Sequence, residues 1–215
     1  MDFADILRRR NRPLGAVVDE LAATRIGDTF NQYRRSRLRR ERLQTYLDAK
    51  RHASILLVGE AAGYRGARVS GIPFTSERQL TGAGPAEASA TIVHRVLAEL
   101  GLEEDVLLWN VVPTHPGTAT SNRLPTRAEV EASFPFLAEL ARGRRVVAAG
   151  RLAQAVTGAP YIRHPARGGA ADFRAGLLRF ALGGRLVRRF YVDELRHYPP
   201  ARPRARLQPG TYVLT

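Results

Sequence analysis

The chain is 215 residues long, 44% hydrophobic and free of cysteine, so it can bury one substantial core but can form no disulfide, thiolate zinc site or cysteine-held iron–sulfur cluster. Its formal net charge of +14 points to a polyanionic partner, nucleic acid before an anionic membrane. No apolar run approaches the length of a membrane helix, and the acids of Met1-Asp2-Phe3-Ala4-Asp5 stand where a secretory signal would carry positive charge, which predicts a soluble, cytoplasmic protein.

Residues 1–53 read as a basic helical extension packed on the core. Val17, Val18, Leu21 and Ala22 recur at helical spacing, and a longer helix is predicted from near Thr29 to near Arg51. The run Tyr33-Arg34-Arg35-Ser36-Arg37-Leu38-Arg39-Arg40-Glu41-Arg42 reads either as a solvated helix face or as a phosphate-contacting arm. Residues 54–215 read as an α/β domain. Ile55-Leu56-Leu57-Val58 is a short apolar run ending at Gly59, the pattern of a buried parallel strand. A Gly- and Pro-rich loop runs to about Pro85. A helix follows over Ala86–Leu100, with Ala88, Ile92, Val96 and Leu100 on one side and Gly101 as its stop. Val106-Leu107-Leu108-Trp109 is the second strand. Thr126, with Glu129 three residues on, signals the N-cap of a helix through Leu140. Arg145-Val146-Val147-Ala148-Ala149 is the third strand, Leu152–Val156 begins a helix and Tyr161-Ile162-Arg163 is the fourth strand. Ala170–Leu182 reads as a helix, Phe190-Tyr191-Val192 as a last strand, and the Pro- and Arg-rich tail after His197 as irregular.

Strands separated by helices imply a central, mostly parallel four-stranded sheet flanked by helices on both faces. Ligands of such sheets bind beyond the carboxyl ends of the strands. The residues in those positions are Glu60, Asn110, Gly150 with Arg151, and His164. The glycine spacing of Gly59-Glu60-Ala61-Ala62-Gly63-Tyr64 does not fit a dinucleotide fingerprint, and the chain has no phosphate loop, zinc helix or nucleophile elbow.

Five segments in order resemble the uracil-DNA glycosylase superfamily. Gly59-Glu60-Ala61-Ala62-Gly63 is similar to its first motif, in the Gly-Glu-x-Pro-Gly form of the iron–sulfur branch. Gly71-Ile72-Pro73-Phe74-Thr75 resembles the Gly-x-Pro-Phe segment. Trp109-Asn110-Val111-Val112 resembles the strand-end Asn-Val-Val segment, and Asn122-Arg123-Leu124-Pro125-Thr126 the Asn-Arg-x-Pro-Thr that follows. His164-Pro165-Ala166 resembles the closing His-Pro-Ser motif. The chain departs from the pattern at Ala61, where the better-known branch has a water-positioning Asp, at Ala62 for the motif proline and at Ala166 for the serine. Without cysteine, the chain would be a cluster-free relative.

The resemblance implies a monomeric enzyme, without cofactor or metal, that flips a deaminated base out of DNA and hydrolyses its glycosidic bond. It assigns His164 as the donor to the negative charge developing on the base, Asn110 as the reader of the base edge and Glu60 as a water-positioning or loop-holding carboxylate. Phe74 would stack on the base, Gly59 and Ala61 would border it, and Tyr64 would wall the pocket against a methylated pyrimidine. Arg163 and Arg167, with Arg123, Arg151, Arg34 and Arg35, are the expected DNA contacts. Lys50, the only lysine, lies in the basic helix away from the strand ends, so hydrolysis without strand nicking is expected. His52, His94, His115 and His197 read as structural or solvent-exposed, with His115 placed where it could approach DNA. Uracil, hypoxanthine and xanthine all remain open as the target base. Ala61 keeps a non-catalytic DNA-binding relative open as well, and an unrelated nucleotide-binding α/β protein is the remaining alternative.

Overall fold

A computed structural model describes residues 14–195 of the chain. Residues 1–13 and 196–215, the latter with His197 and the tail after it, lie outside the described residues. The chain divides into two compact units, 1–181 and 182–215.

In the first unit, β1 (Ile55–Ala61), β2 (Val106–Val112), β3 (Arg145–Ala149) and β4 (Tyr161–Ile162) form one all-parallel sheet in the order β2-β1-β3-β4. The central pair is in register from Ile55 opposite Val106 to Ala61 opposite Val112. Because successive strand residues point to opposite faces, the apolar runs feed two cores. On one face Leu56, Val58, Leu107, Trp109 and Ala148 pack with Val17 and Leu21 of α1 (Leu14–Ala23) and with Leu43 and Leu47 of α2 (Arg37–Ala49). Phe136, Leu137 and Leu140 of α6 (Arg127–Ala141) and Ala153 of α7 (Arg151–Thr157) complete that face. On the other, Ile55, Leu57, Leu108, Val147 and Ile162 meet α5 (Ala88–Leu100) and Phe173 and Leu177 of α8 (Ala170–Leu195). The N-terminal helices therefore share a core with the sheet. Among the described residues no helix is long and apolar enough to cross a membrane.

Four expectations change. The helix predicted from Thr29 begins at Arg37, because residues 29–36 are committed to other bonds. Phe30 exchanges backbone hydrogen bonds with His115, and the Asn31 amide donates to the Leu21 and Thr24 carbonyls. Ser36 then caps α2 by accepting from the Arg39 N–H. The buried seam of α5 is Ala90, Val93, Val96 and Leu97; of the predicted stripe Val96 lies in it, Ile92 and Leu100 pack against the same core partly buried, and Ala88 is exposed. Four residues advance about 40° beyond a full helical turn, so such a stripe drifts off the core face. The Gly- and Pro-rich loop holds two short helices, α3 (Ala67–Ser70) and α4 (Glu77–Thr81). Phe190-Tyr191-Val192 lies within α8, which is interrupted at Gly183 (φ 66°, ψ 154°). A short apolar run fits helix and strand equally by pattern alone.

Candidate active site

The parallel sheet brings the ends of its strands to one edge, and a cavity of about 690 Å³ opens there. Glu60 and Ala61 at the end of β1 and Asn110 in β2 line it, together with Arg151 at the start of α7. Arg163, His164 and Arg167 line it from the segment after β4. Phe74 and Arg123 enter from the two loops that follow β1 and β2. Gly59 and Tyr64 are not among the lining residues. Gly59 sits directly behind the site, opposite Asn110 in the sheet. Tyr64 donates its backbone N–H to the Asn122 side chain at 2.9 Å, and its ring carries the Arg65 guanidinium at 5.3 Å.

Phe74 is positioned by strain held in place. Its φ is 52°, a left-handed conformation that costs a bulky residue about 1–3 kcal/mol. The loop around it is over-determined. Ser70 donates its hydroxyl to the Thr75 carbonyl at 2.6 Å and accepts the Ile72 N–H at 3.1 Å. The Thr75 hydroxyl meets His94 Nε2 at 3.0 Å, and Tyr33 donates its hydroxyl to the Gly71 carbonyl at 3.0 Å. The result fixes the Phe74 ring against Gly59, beside the Asn110 carboxamide. Asn110 is only 3% exposed, and among the described residues no hydrogen bond engages its amide.

His164 is the other fixed group. The backbone N–H of Ala166 donates to its Nδ1 at 3.2 Å. An accepting Nδ1 carries no proton, so a neutral ring holds its proton on Nε2. Burial first, and the Arg163 guanidinium second, keep the pKa of His164 below the ordinary histidine value. Arg167 also adopts a positive φ of 54°. Burial raises the carboxyl pKa of Glu60, and it does the same for Glu87, a lining residue that sequence reasoning missed. The Glu87 carboxylate rests where side chains at Gly63 and Gly66 would otherwise stand. Those two glycines three apart after a strand were the available signal of a side chain closing over the loop.

Of the other residues expected to contact or approach DNA, some have partners within the protein and some lie apart from this cavity. The Arg123 guanidinium is committed to the carboxylate of Glu129 through two hydrogen bonds, at 2.8 and 2.5 Å. His115 is fully buried, with Nδ1 2.7 Å from the Ala62 carbonyl and Nε2 2.7 Å from that of Thr118, so it joins the β1 and β2 exit loops and is closed to solvent. Arg34 and Arg35 line a separate, smaller cavity. Within the same basic run Arg39 and Arg40 donate to the Val69 and Tyr33 carbonyls, and Arg42 pairs with Glu77 at 2.9 Å.

The crystal structure of wild-type SMUG2 from Pedobacter heparinus has a similar fold, with a TM-score of 0.53 over 86% of this chain and 98% of that one, at 13% sequence identity. No curated protein matches the chain. The family model of the uracil DNA glycosylase superfamily matches residues 46–208, a span that takes in all four strands and every group lining the cavity. This chain, with its cavity at the strand ends, therefore belongs to the uracil DNA glycosylase superfamily.

Proposed function

We propose that this chain is a monofunctional DNA glycosylase that removes uracil or another deaminated base. The observation that carries the reading is the convergence of His164 and Asn110 on one cavity, with Nδ1 of His164 committed to the Ala166 N–H. Nε2–H is then the donor for the oxygen of the departing base, where negative charge collects as the glycosidic bond breaks. The Asn110 amide offers one donor and one acceptor to a base edge. Phe74 supplies a ring against which the extruded base stacks. Water adds its oxygen to the sugar C1′, the base leaves with the bonding electron pair, and the water proton ends on the base. Glu60 is the carboxylate that orients that water. Arg151, Arg163 and Arg167 border the cavity and contact the flanking phosphates.

Lys50 supports simple hydrolysis. Its Nζ donates to the Glu103 carbonyl at 2.6 Å and pairs with Glu104 at 3.0 Å, and it does not line the cavity. No lysine is thus placed to form a Schiff base with the sugar.

One observation favours a second reading, a non-catalytic DNA-binding relative. The cavity wall at position 61 is a methyl group, where part of the superfamily carries the water-positioning carboxylate. Labelled oligonucleotides with a single uracil, hypoxanthine or xanthine, single-stranded and duplex, separate the two. Base release revealed as strand breaks only after alkali is expected, and it names the base. DNA binding without release from any substrate would establish the second reading.

A further inference from the structure

A second cavity, of about 320 Å³, lies among the residues that join α1 to α2. Arg25, Phe30, Gln32, Arg34, Arg35 and Arg39 line it. Arg34 and Arg35 are exposed, and among the described residues no hydrogen bond or ion pair engages either guanidinium. Arg68 joins the group from α3, with its guanidinium 4.7 Å above the Phe30 ring. Its Nε is buried and lacks a hydrogen-bond partner. Phe30 is 44% exposed, so part of its ring is open to a ligand beside the Arg68 guanidinium. Of the acids near this group, Asp28 pairs with Arg25 where both are exposed to solvent, and Glu77 is held by Arg42. Burial first, and the Arg68 guanidinium second, lower the pKa of Arg39, and the Glu77 carboxylate acts in the opposite direction. Like charges held this close are relieved by an anion.

The position of the groove identifies the anion. Phe30 and His115 exchange backbone hydrogen bonds at 2.9 and 3.0 Å, and the next residue, Pro116, lines the first cavity. The groove therefore adjoins the active cavity on the β2 side of the sheet. Arg163 and Arg167 stand on the other side, beyond β4. A nucleic-acid strand lying across the strand ends would meet cations on both sides of the flipped nucleotide.

We infer that the Phe30 groove binds the phosphodiester backbone of one flank of the DNA strand, with Arg34 and Arg35 on the phosphates and the exposed part of the Phe30 ring against a base. The inference rests on the reading of the first cavity as a site for a nucleotide of DNA. Rows of guanidinium groups beside an aromatic ring are the general means of holding a strand without reading its sequence.

The test compares the full chain with R34Q/R35Q and R34K/R35K, by fluorescence anisotropy on lesion-bearing oligonucleotides over a salt series. Both positions are exposed, and circular dichroism melting checks that each variant folds. The plot of log affinity against log salt is expected to flatten by about 0.9 for each phosphate that R34Q/R35Q no longer neutralises, and R34K/R35K is expected to restore it. Oligonucleotides shortened on one flank, but not on the other, should abolish the difference between wild type and R34Q/R35Q. Equal salt slopes and affinities for wild type and R34Q/R35Q would overturn the groove, with or without base release. Displacement of DNA from the groove by inorganic phosphate at matched ionic strength would make it a free-phosphate site and also overturn it. Binding without base release would count against the glycosylase reading and leave the groove to be judged on the binding data alone. A wild-type chain that binds no DNA would overturn both.

Discussion

The ring of Phe74 occupies the space that any side chain at Gly59 would need, and it does so beside the Asn110 carboxamide. An added Cβ at position 59 would also stand 2.9 Å from Asn110 Oδ1. Gly59→Ala must therefore displace both groups read here as contacting the base. Overpacking of this kind costs about 1–3 kcal/mol of stability. The expected outcome is a lowered melting temperature together with a loss of base release larger than the stability change explains. Gly59→Ala with Phe74→Leu should recover the melting temperature without recovering activity. Full activity in Gly59→Ala would remove Phe74 and Asn110 from the site.

His164 gives a prediction with a sign. Its pKa is depressed, so the neutral ring persists below the ordinary value of 6.5. Protonating Nδ1 would set it against the Ala166 N–H, which now donates to it. Base release is expected to hold from neutral pH down past 6.5 and to fall only at more acidic pH. Stability follows the same direction. The folded state binds fewer protons than the unfolded one below 6.5, so this contribution is complete above 6.5 and is lost as pH falls toward the folded pKa. Arg163→Gln removes the second cause of the depression and should move the acid limb of the rate profile upward. His164→Ala should lower single-turnover base release by about 10²–10³-fold, the usual effect of removing one donor to a developing oxyanion. A rate profile that does not move in Arg163→Gln would count against His164 as the titrating group.

The strand ends were legible because a parallel sheet buried on both faces leaves near-continuous apolar runs, and each run ends at a polar residue or a glycine. Thr126 and Glu129 were legible for a local reason, since the reciprocal capping box depends on residues three apart, and it forms. Residues 29–36 were not, because their bonds run to His115, Leu21 and Thr24, partners that sequence distance hides. The role of Arg123 was hidden for a similar reason. A basic residue after a base-pocket motif reads as a DNA contact, whereas its carboxylate partner is recognisable in the sequence only as a helix cap. Glu87 fills a space defined by what Gly63 and Gly66 lack, and absent side chains leave little trace in a pattern of residue types.

Glu129 joins three segments at once. It accepts from both terminal nitrogens of Arg123 and from the Thr126 N–H at 2.8 Å, while its side chain fills the space beside Gly27. Its side chain is 2% exposed, so its pairing is little screened by solvent. The Arg123 guanidinium foremost holds the Glu129 carboxyl down to about 2, below its ordinary 4.5. This stabilisation is complete above pH 4.5 and is lost as pH falls from there toward about 2. Arg123→Gln leaves the Glu129 carboxylate buried without its cation, the case that costs about 3–5 kcal/mol, whereas Glu129→Ala leaves an arginine that solvent reaches and costs less. Arg123→Gln should also leave the salt slope of DNA binding as it is. Chemical denaturation and a salt titration check both halves. A flattened salt slope in Arg123→Gln would return this arginine to the DNA contacts.

Glu60 and Glu87 are the two carboxylates that line the cavity, and Ala61 supplies none. Burial raises both above the ordinary glutamate value. A raised pKa means that the charged form is disfavoured in the folded protein, so stability declines as pH rises from the unfolded value through the folded one. Replacing either by the neutral isostere should therefore raise the melting temperature at neutral pH. Their effects on chemistry should differ. Glu60 stands at the end of β1, one residue from Gly59 and on the strand beside Asn110, close to the groups read as holding the base. Glu87 rests on Gly63 and Gly66, one loop further out. Glu60→Gln should lower single-turnover base release by about 10²-fold, the scale of a positioned proton-transfer or water-orienting group, while gaining stability. Glu87→Gln should gain stability with a much smaller loss of rate. The reverse order of rates would assign the water to Glu87, and a methyl group at position 61 would then be compensated from the start of α5 and not from the end of β1.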